Sequence, residues 1–216
     1  MPQFPIEKRS KVSRNPNRAS YDRETIYNIV DEALYCHVGF IEGESPYVIP
    51  TLHTRITSNI ILHGAKDSRL MKCLQLGKEV CIAITILDGL VLARSACYHS
   101  VNYRSVVLFG RGVAINEKGE KLEALKALTE HIVRGRWKDI RKPSQQELDA
   151  TAVVSIPIEA ASAKIRTGPP IDALEDLDLP IWAGVIPLKL QAFEPEADPQ
   201  LGAGIPVPDY VSSMRK

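Results

Sequence analysis

Apolar residues along the chain change their period several times, and the changes mark the elements. Residues 22–35 open with Asp22, a good N-cap, and place Ile26, Ile29, Val30, Ala33 and Leu34 on one face, which predicts a helix ending near Tyr35. A short apolar run over 36–41 and turn chemistry at Glu42-Gly43-Glu44-Ser45 predict a strand and its reversal. Residues 47–55 resume strand-like sequence with Pro50 inside. A proline cannot donate to a sheet ladder, so this stretch is an edge, a bulge or a place where a ligand replaces the neighbouring strand. Thr57-Ser58-Asn59 turns, and residues 60–63 form a further strand ending at Gly64.

A short helix is expected over 67–76, with Leu70, Cys73 and Leu74 inward and Gly77 as its stop. Residues 80–93 and 96–115 are long strand-forming segments, the second ending in a Gly110-Arg111-Gly112 break. Leu122, Leu125, Leu128 and Ile132 predict a helix over 121–133, closed by Gly135-Arg136-Trp137. A short helix follows near Ser144, then a strand over 152–158 that residues 163–165 extend. Residues 168–179 form a Pro- and Asp-rich loop, and 182–193 a last strand with Val185, Leu188 and Leu190 among its apolar members. No internal repeat interrupts this order. The expected fold class is α+β, a mostly antiparallel six-stranded split β-barrel with flanking helices. Residues 1–20 read as an N-terminal arm, either disordered or wrapped on a partner subunit; 21–193 are the domain, and 194–216 a Pro- and acid-rich C-terminal tail.

Composition narrows function mainly by exclusion. The 216 residues carry 27 basic and 26 acidic side chains, a balance that argues against a dedicated nucleic-acid binder. Cys36, Cys73, Cys81 and Cys97 show neither a C-x-x-C pair nor zinc spacing, and read as core thiols of a reducing compartment. The run over 80–93 is too short for a spanning helix, and the first residues carry no secretory pattern, so cytoplasm is the expected location. The five histidines show no metal spacing, and no metal site is expected.

Candidate chemistry gathers at two places. In the segment 60–72 a strand ends at His63-Gly64 and a helix begins at Ser68-Arg69. A helix start offers free N–H groups, a hydroxyl from Ser68 and the fork of Arg69, with Lys72 one turn on, to an anionic group. It lacks the glycine run of a P-loop; a capped helix with solvated basic residues is the bland alternative. In 99–110, Asn102, Tyr103, Arg104 and Ser105 crowd one end of a strand whose other end is apolar, facing either a ligand or solvent.

Taken together, His63-Gly64-Ala65-x-x-Ser68-Arg69, Asp88-Gly89-Leu90-Val91-Leu92-Ala93-Arg94-Ser95, Asn102-Tyr103-Arg104-Ser105-Val106, Gly135-Arg136-Trp137 and Trp182-Ala183-Gly184-Val185-x-Pro187 resemble the flavin-nucleotide-binding branch of the pyridoxamine 5'-phosphate oxidase-like split barrels, to which nitroimidazole-resistance proteins are related. The resemblance runs over about residues 18–193. It implies FMN as cofactor and a homodimer with two flavins at the subunit interface. It implies a ring-binding strand at Val48, Ile49, Pro50 and Thr51, and a phosphate turn at His63, Gly64, Ser68 and Arg69. It also implies a closing strand at Tyr103, Arg104 and Ser105, and a flavin-packing tryptophan, Trp182, from the other subunit. The Arg-x-x-x-x-Lys run of true pyridoxamine-phosphate oxidases is absent from the ring strand, Leu70 follows Arg69 where they carry lysine, and their C-terminal Arg-Leu-x-Pro clamp is missing. Vitamin B6 oxidation is therefore not the expected activity. An FMN-dependent oxidoreductase acting on a small molecule and a non-catalytic flavin store or sensor both fit, and a deazaflavin or haem, which some split-barrel relatives bind, stays open beside FMN. His53 and His99 flank the ligand-facing strands and are candidate pocket residues; no catalytic residue is named.

Overall fold

The computed structural model describes residues 2–215. In chain order the strands are β1 (Ala19–Ser20), β2 (Tyr35–Glu42), β3 (Ser45–Leu52), β4 (Thr54–Ile56), β5 (Asn59–Ala65), β6 (Glu79–Leu92), β7 (Ser100–Arg111), β8 (Val113–Ala114), β9 (Thr151–Pro157), β10 (Ala160–Arg166) and β11 (Gly184–Pro187). The helices are α1 (Arg23–Glu32), α2 (Arg69–Gln75), α3 (Lys118–Ile132), α4 (Gln145–Ala150) and α5 (Asp209–Ser212). All pairings are antiparallel. A large sheet runs β1-β10-β7-β6-β2-β3 with β11 added to β6, and a smaller one runs β4-β5-β9-β8. The α+β class and the antiparallel split barrel are those the sequence pattern predicts. The strands are more numerous than six because short ones at the sheet edges carry no periodic signal of their own.

β6 and β7 pair from Glu79↔Arg111 to Val91↔Ser100, with a register shift between Leu87 and Gly89. β2 lies on the lower half of β6, at Cys81–Ala83, and β11 takes the same edge higher up, at Gly89–Leu92. Ile82, Ile84, Val106 and Leu108 point inward from this hairpin and meet Ile60, Leu62, Val154 and Ile156 of the small sheet, with Ile26, Ile29 and Val30 of α1 between them. α1 starts where the Asp22 carboxylate accepts from the Thr25 N–H at 2.8 Å. α3 covers the other face of the small sheet through Ala124 and Leu128, against Ile61 and Val153.

Several boundaries differ from the sequence expectation. The strand expected over 47–55 breaks at His53, and its two parts, β3 and β4, join different sheets. Pro50 sits in β3, the terminal strand of the large sheet, as a residue without a donor requires. The residues expected to extend the strand at 152–158 instead cross over as β10 and pair with β7. The last strand shrinks from 182–193 to four residues. The N-terminal arm packs in part on its own chain: Phe4 is buried beneath Tyr27, Gln3 bridges Asp22, and Arg9 lies over Phe109.

Two histidines fasten the end of α1. His53 Nε2 donates to the Val30 carbonyl at 3.0 Å and His131 Nε2 to that of Ala33 at 2.9 Å, so each satisfies a carbonyl that the last turn of a helix leaves open. The two rings lie 5.7 Å apart. Burial pushes the His53 pKa down to about 4, and the other ring nitrogen has no partner among the described residues. A ring held neutral in the fold favours folding above the ordinary value of 6.5, and that contribution disappears as pH falls toward 4. Urea unfolding at pH 7 and pH 4 should show a His53-dependent loss of about 3 kcal/mol. In His53→Gln, whose amide can still donate to Val30, that component of the acid sensitivity should vanish.

Close approach of backbones fixes Gly112: a Cβ there would overlap the Leu74 carbonyl at the end of α2. Gly112→Ala should therefore lower unfolding free energy by about 1–3 kcal/mol. An unchanged urea midpoint would show that α2 can move aside.

Candidate functional site

The turn from β5 into α2 is built largely by packing. β5 alternates, so Ile60, Leu62 and Gly64 face the barrel core, while Ile61 and His63 face the layer under α3. Gly64 leaves space for Met71: a Cβ would stand 3.2 Å from Met71 Cγ. His63 is directly opposite Val153 on β9; burial lowers its pKa, and its Nδ1 has no hydrogen-bond partner among the described residues. Its side chain thus points away from the start of α2.

Ser68 caps α2 by accepting from the Met71 N–H at 3.4 Å, which leaves its own hydroxyl proton free to donate. Arg69 is half exposed. Its guanidinium lies over the Tyr47 ring, 4.2 Å from the centroid, and among the described residues only its Nε engages a carboxylate, Glu42, at 2.9 Å. Terminal guanidinium N–H groups therefore remain available beside the β2–β3 hairpin. The backbone of Val48, Ile49, Pro50 and Thr51 runs along the open edge of the large sheet next to this hairpin, with the Val48 side chain exposed.

The Arg104 strand lies elsewhere. Tyr47 pairs with Phe40, one step from the row Gly39–Cys81–Phe109, whereas Arg104 is level with Ile86. Six residues of β7 separate Arg104 from Gly110, which is about 20 Å at the rise of a strand. The expectation that Arg104 stands beside the Ser68–Arg69 turn is corrected by this register: within one chain the two places are at opposite ends of the large sheet. Arg104 is also occupied. It makes a two-point contact with Asp88 at 3.0 and 2.8 Å and another with Glu32, which holds the Glu32 carboxyl below its ordinary range. An anion arriving there meets two carboxylates already in place. Ser105 Oγ donates to the Lys164 carbonyl, and Tyr103 is level with Arg166.

The upper end of the β6–β7 hairpin carries a strap over residues 167–193, whose fastening goes beyond the loop and last strand expected there. The buried Arg166 bonds the Asn102 amide oxygen and the carbonyls of Gly168 and Pro169. Asn102 in turn donates to Gly168. Asp172, its side chain 1% exposed, accepts from the backbone N–H of Arg94 at 2.9 Å and from its guanidinium at 2.7 Å. These bonds, the backbone one foremost, lower the Asp172 pKa. β11 completes the attachment. Yet Leu174, Leu177, Leu179, Ile181 and Trp182 remain exposed, Leu174 at 83% and Trp182 at 67%. Trp182 folds its ring over Gly184, so it sits at the strap rather than near Arg69. The polar crowding at 102–105 was legible in the sequence; its partner, the Asp172 region, read only as a loop. Of the two candidate pocket histidines, His53 belongs to the core, and His99 lies in the connector between β6 and β7, exposed, with Nδ1 on the Ser95 carbonyl at 3.0 Å.

Comparisons with known proteins fit this architecture. The model of the pyridoxamine 5'-phosphate oxidase family matches residues 22–165, and the chain belongs to that family. The solved structure of flavocytochrome Anf3 from Azotobacter vinelandii is 39% identical, with 99% of each chain covered and a TM-score of 0.92. A FAD- and haem-binding protein from Mycobacterium smegmatis is 32% identical over 92% of this chain and 97% of its own, with a TM-score of 0.87. A putative 5-nitroimidazole antibiotic resistance protein from Bacteroides thetaiotaomicron is 25% identical over 68% of this chain and 86% of its own, with a TM-score of 0.58. No match was found among curated protein sequences. Among the described residues no helix is long and apolar enough to cross a membrane.

If the Arg94–Asp172 contact fastens the strap, Asp172→Asn should accelerate limited proteolysis within 167–193 several-fold while cleavage elsewhere stays slow. Equal rates in both proteins would show that β11 alone suffices.

Proposed function

We propose that this chain is a flavin-binding redox protein that acts as a homodimer and carries haem as a second group. The observation that carries the reading is how far the similarity extends. A flavocytochrome and a FAD- and haem-binding protein match 99% and 92% of the chain, so both likenesses reach beyond the family span of 22–165 into the strap.

The residues suit a flavin nucleotide. The free edge of β3 offers backbone groups at Val48, Ile49, Pro50 and Thr51 to a ring, and Ser68 and Arg69 offer a hydroxyl and a half-free guanidinium to a phosphate. His63 and Gly64 support that turn from behind. FMN and FAD share the phosphate next to riboflavin, so the same cradle serves either; the Mycobacterium relative favours FAD. When bound, the flavin supplies the electron-transfer chemistry, and the chain's part is to orient and shield it.

A second copy of the chain accounts for the rest. The outer face of the large sheet carries Tyr35, Ile41, Val48, Leu52 and Leu87 exposed, and α1 packs on the opposite side. A bare apolar sheet face of this kind marks an interface. Tyr103, Ser105 and Trp182, distant from Arg69 in their own chain, would then approach the flavin from the partner subunit, while Arg104, bonded to Glu32 at the end of α1, faces the other side of the sheet.

Purified protein should show flavin and haem absorption together, and heating should release a flavin that chromatography identifies as FMN or FAD. Protein that takes up neither FMN nor FAD would refute the reading. Reduction by NADH, NADPH or dithionite, followed by transfer to a quinone or oxygen, separates a redox enzyme from a flavin store. Arg69→Ala should weaken flavin binding by about 1.5–3 kcal/mol, more than tenfold in Kd. Unchanged flavin occupancy would place the phosphate elsewhere.

A further inference from the structure

We infer that His99 is an axial ligand of the haem, which lies between the β6–β7 connector and the strap. The inference rests on the haem reading above and names the site within it. The segment after residue 165 is what distinguishes the full-length, haem-associated similarity from the family span. In the fold that segment is fastened to one place, the upper end of the β6–β7 hairpin, through Arg166, Asp172 and β11. His99 is in the connector at that end.

The other four histidines are poorly placed. His53 and His131 give their Nε2 protons to the carbonyls of Val30 and Ala33, and His53 is fully buried. His63 stands under α3 on the small sheet. His37 lies on the outer sheet face, beside Tyr35 and opposite Pro50, where the second copy of the chain is expected.

His99 has the arrangement that a metal-ligating imidazole needs. A carbonyl only accepts, so the contact from Nδ1 to Ser95 puts the proton on Nδ1 and leaves the Nε2 lone pair unshared. A ring proton donated to a backbone carbonyl fixes the tautomer and the ring plane, as is usual for metal-bound histidine. Nε2 makes no hydrogen bond to the described residues, and the ring is exposed. Asp172 of the strap is bonded to Arg94, next to the Ser95 whose carbonyl holds the His99 ring, so the strap is fastened beside the connector. Leu174, Leu177 and Ile181 on the strap are the apolar cover that a porphyrin face calls for and that solvent does not.

The test uses full-length protein freed of haem and titrated with hemin, alone and as His99→Ala and His37→Ala. Flavin uptake and the thermal midpoint serve as checks on folding. Wild type and His37→Ala should give a nitrogen-ligated haem spectrum by absorption and electron paramagnetic resonance. His99→Ala should bind hemin at least tenfold more weakly and lose that spectrum, and added imidazole should restore it. Retention of the wild-type spectrum in His99→Ala, or its loss in His37→Ala alone, would overturn the assignment. Wild-type protein that binds flavin but no hemin would instead remove the haem reading itself, and the ligand with it.

Discussion

The ladder between β6 and β7 is the constraint on which the other elements depend. It is longer than the barrel it helps to close, so its two halves have different neighbours. The lower half is flanked by β2 and packs its inward side chains into the main core. The upper half runs past the end of β2, and its edge would be left unpaired without β11. The register shift beside Asp88 marks the change from one regime to the other. Glycines at the base, Gly110 and Gly112, let Pro157 and Leu74 come close enough to lock the hairpin against the small sheet and α2.

This division separates two kinds of chemistry. Near the lower end, Arg69 keeps part of its guanidinium free and lies next to an open strand edge. Toward the upper end, Arg104 is neutralised by Asp88 and Glu32, and beyond it Arg94, Arg166 and Asp172 serve to hold chain to chain. Basic residues of similar appearance in the sequence thus have unlike roles, because partners distant along the chain decide which of them keep donors free for a ligand.

What the sequence made legible follows from how local each signal is. Asp22, Ser68, Gly77 and Gly135 announced helix ends because caps and left-handed turns act within a few residues. Pro50 announced an edge for the same reason. The crossing of residues 160–166 into the other sheet was not legible, since a short apolar strand carries no mark of its partner. Nor was the strap: Pro169, Pro170, Asp172 and Pro180 read as loop, and the order they adopt comes from Arg94, Asn102 and Arg166. The two patches of candidate chemistry were each recognisable, but their separation depends on strand register, which no local pattern encodes.

β3 is left as the outermost strand of the large sheet, eight residues long and carrying exposed apolar side chains. Strands of that description invite foreign backbones to dock and can seed aggregates. Pro46 and Pro50 each remove an N–H that such an intruder would need, four residues apart on the same strand. The edge can therefore stay open to a small flat molecule, which needs only a few contacts, while refusing the continuous ladder through which fibrils grow.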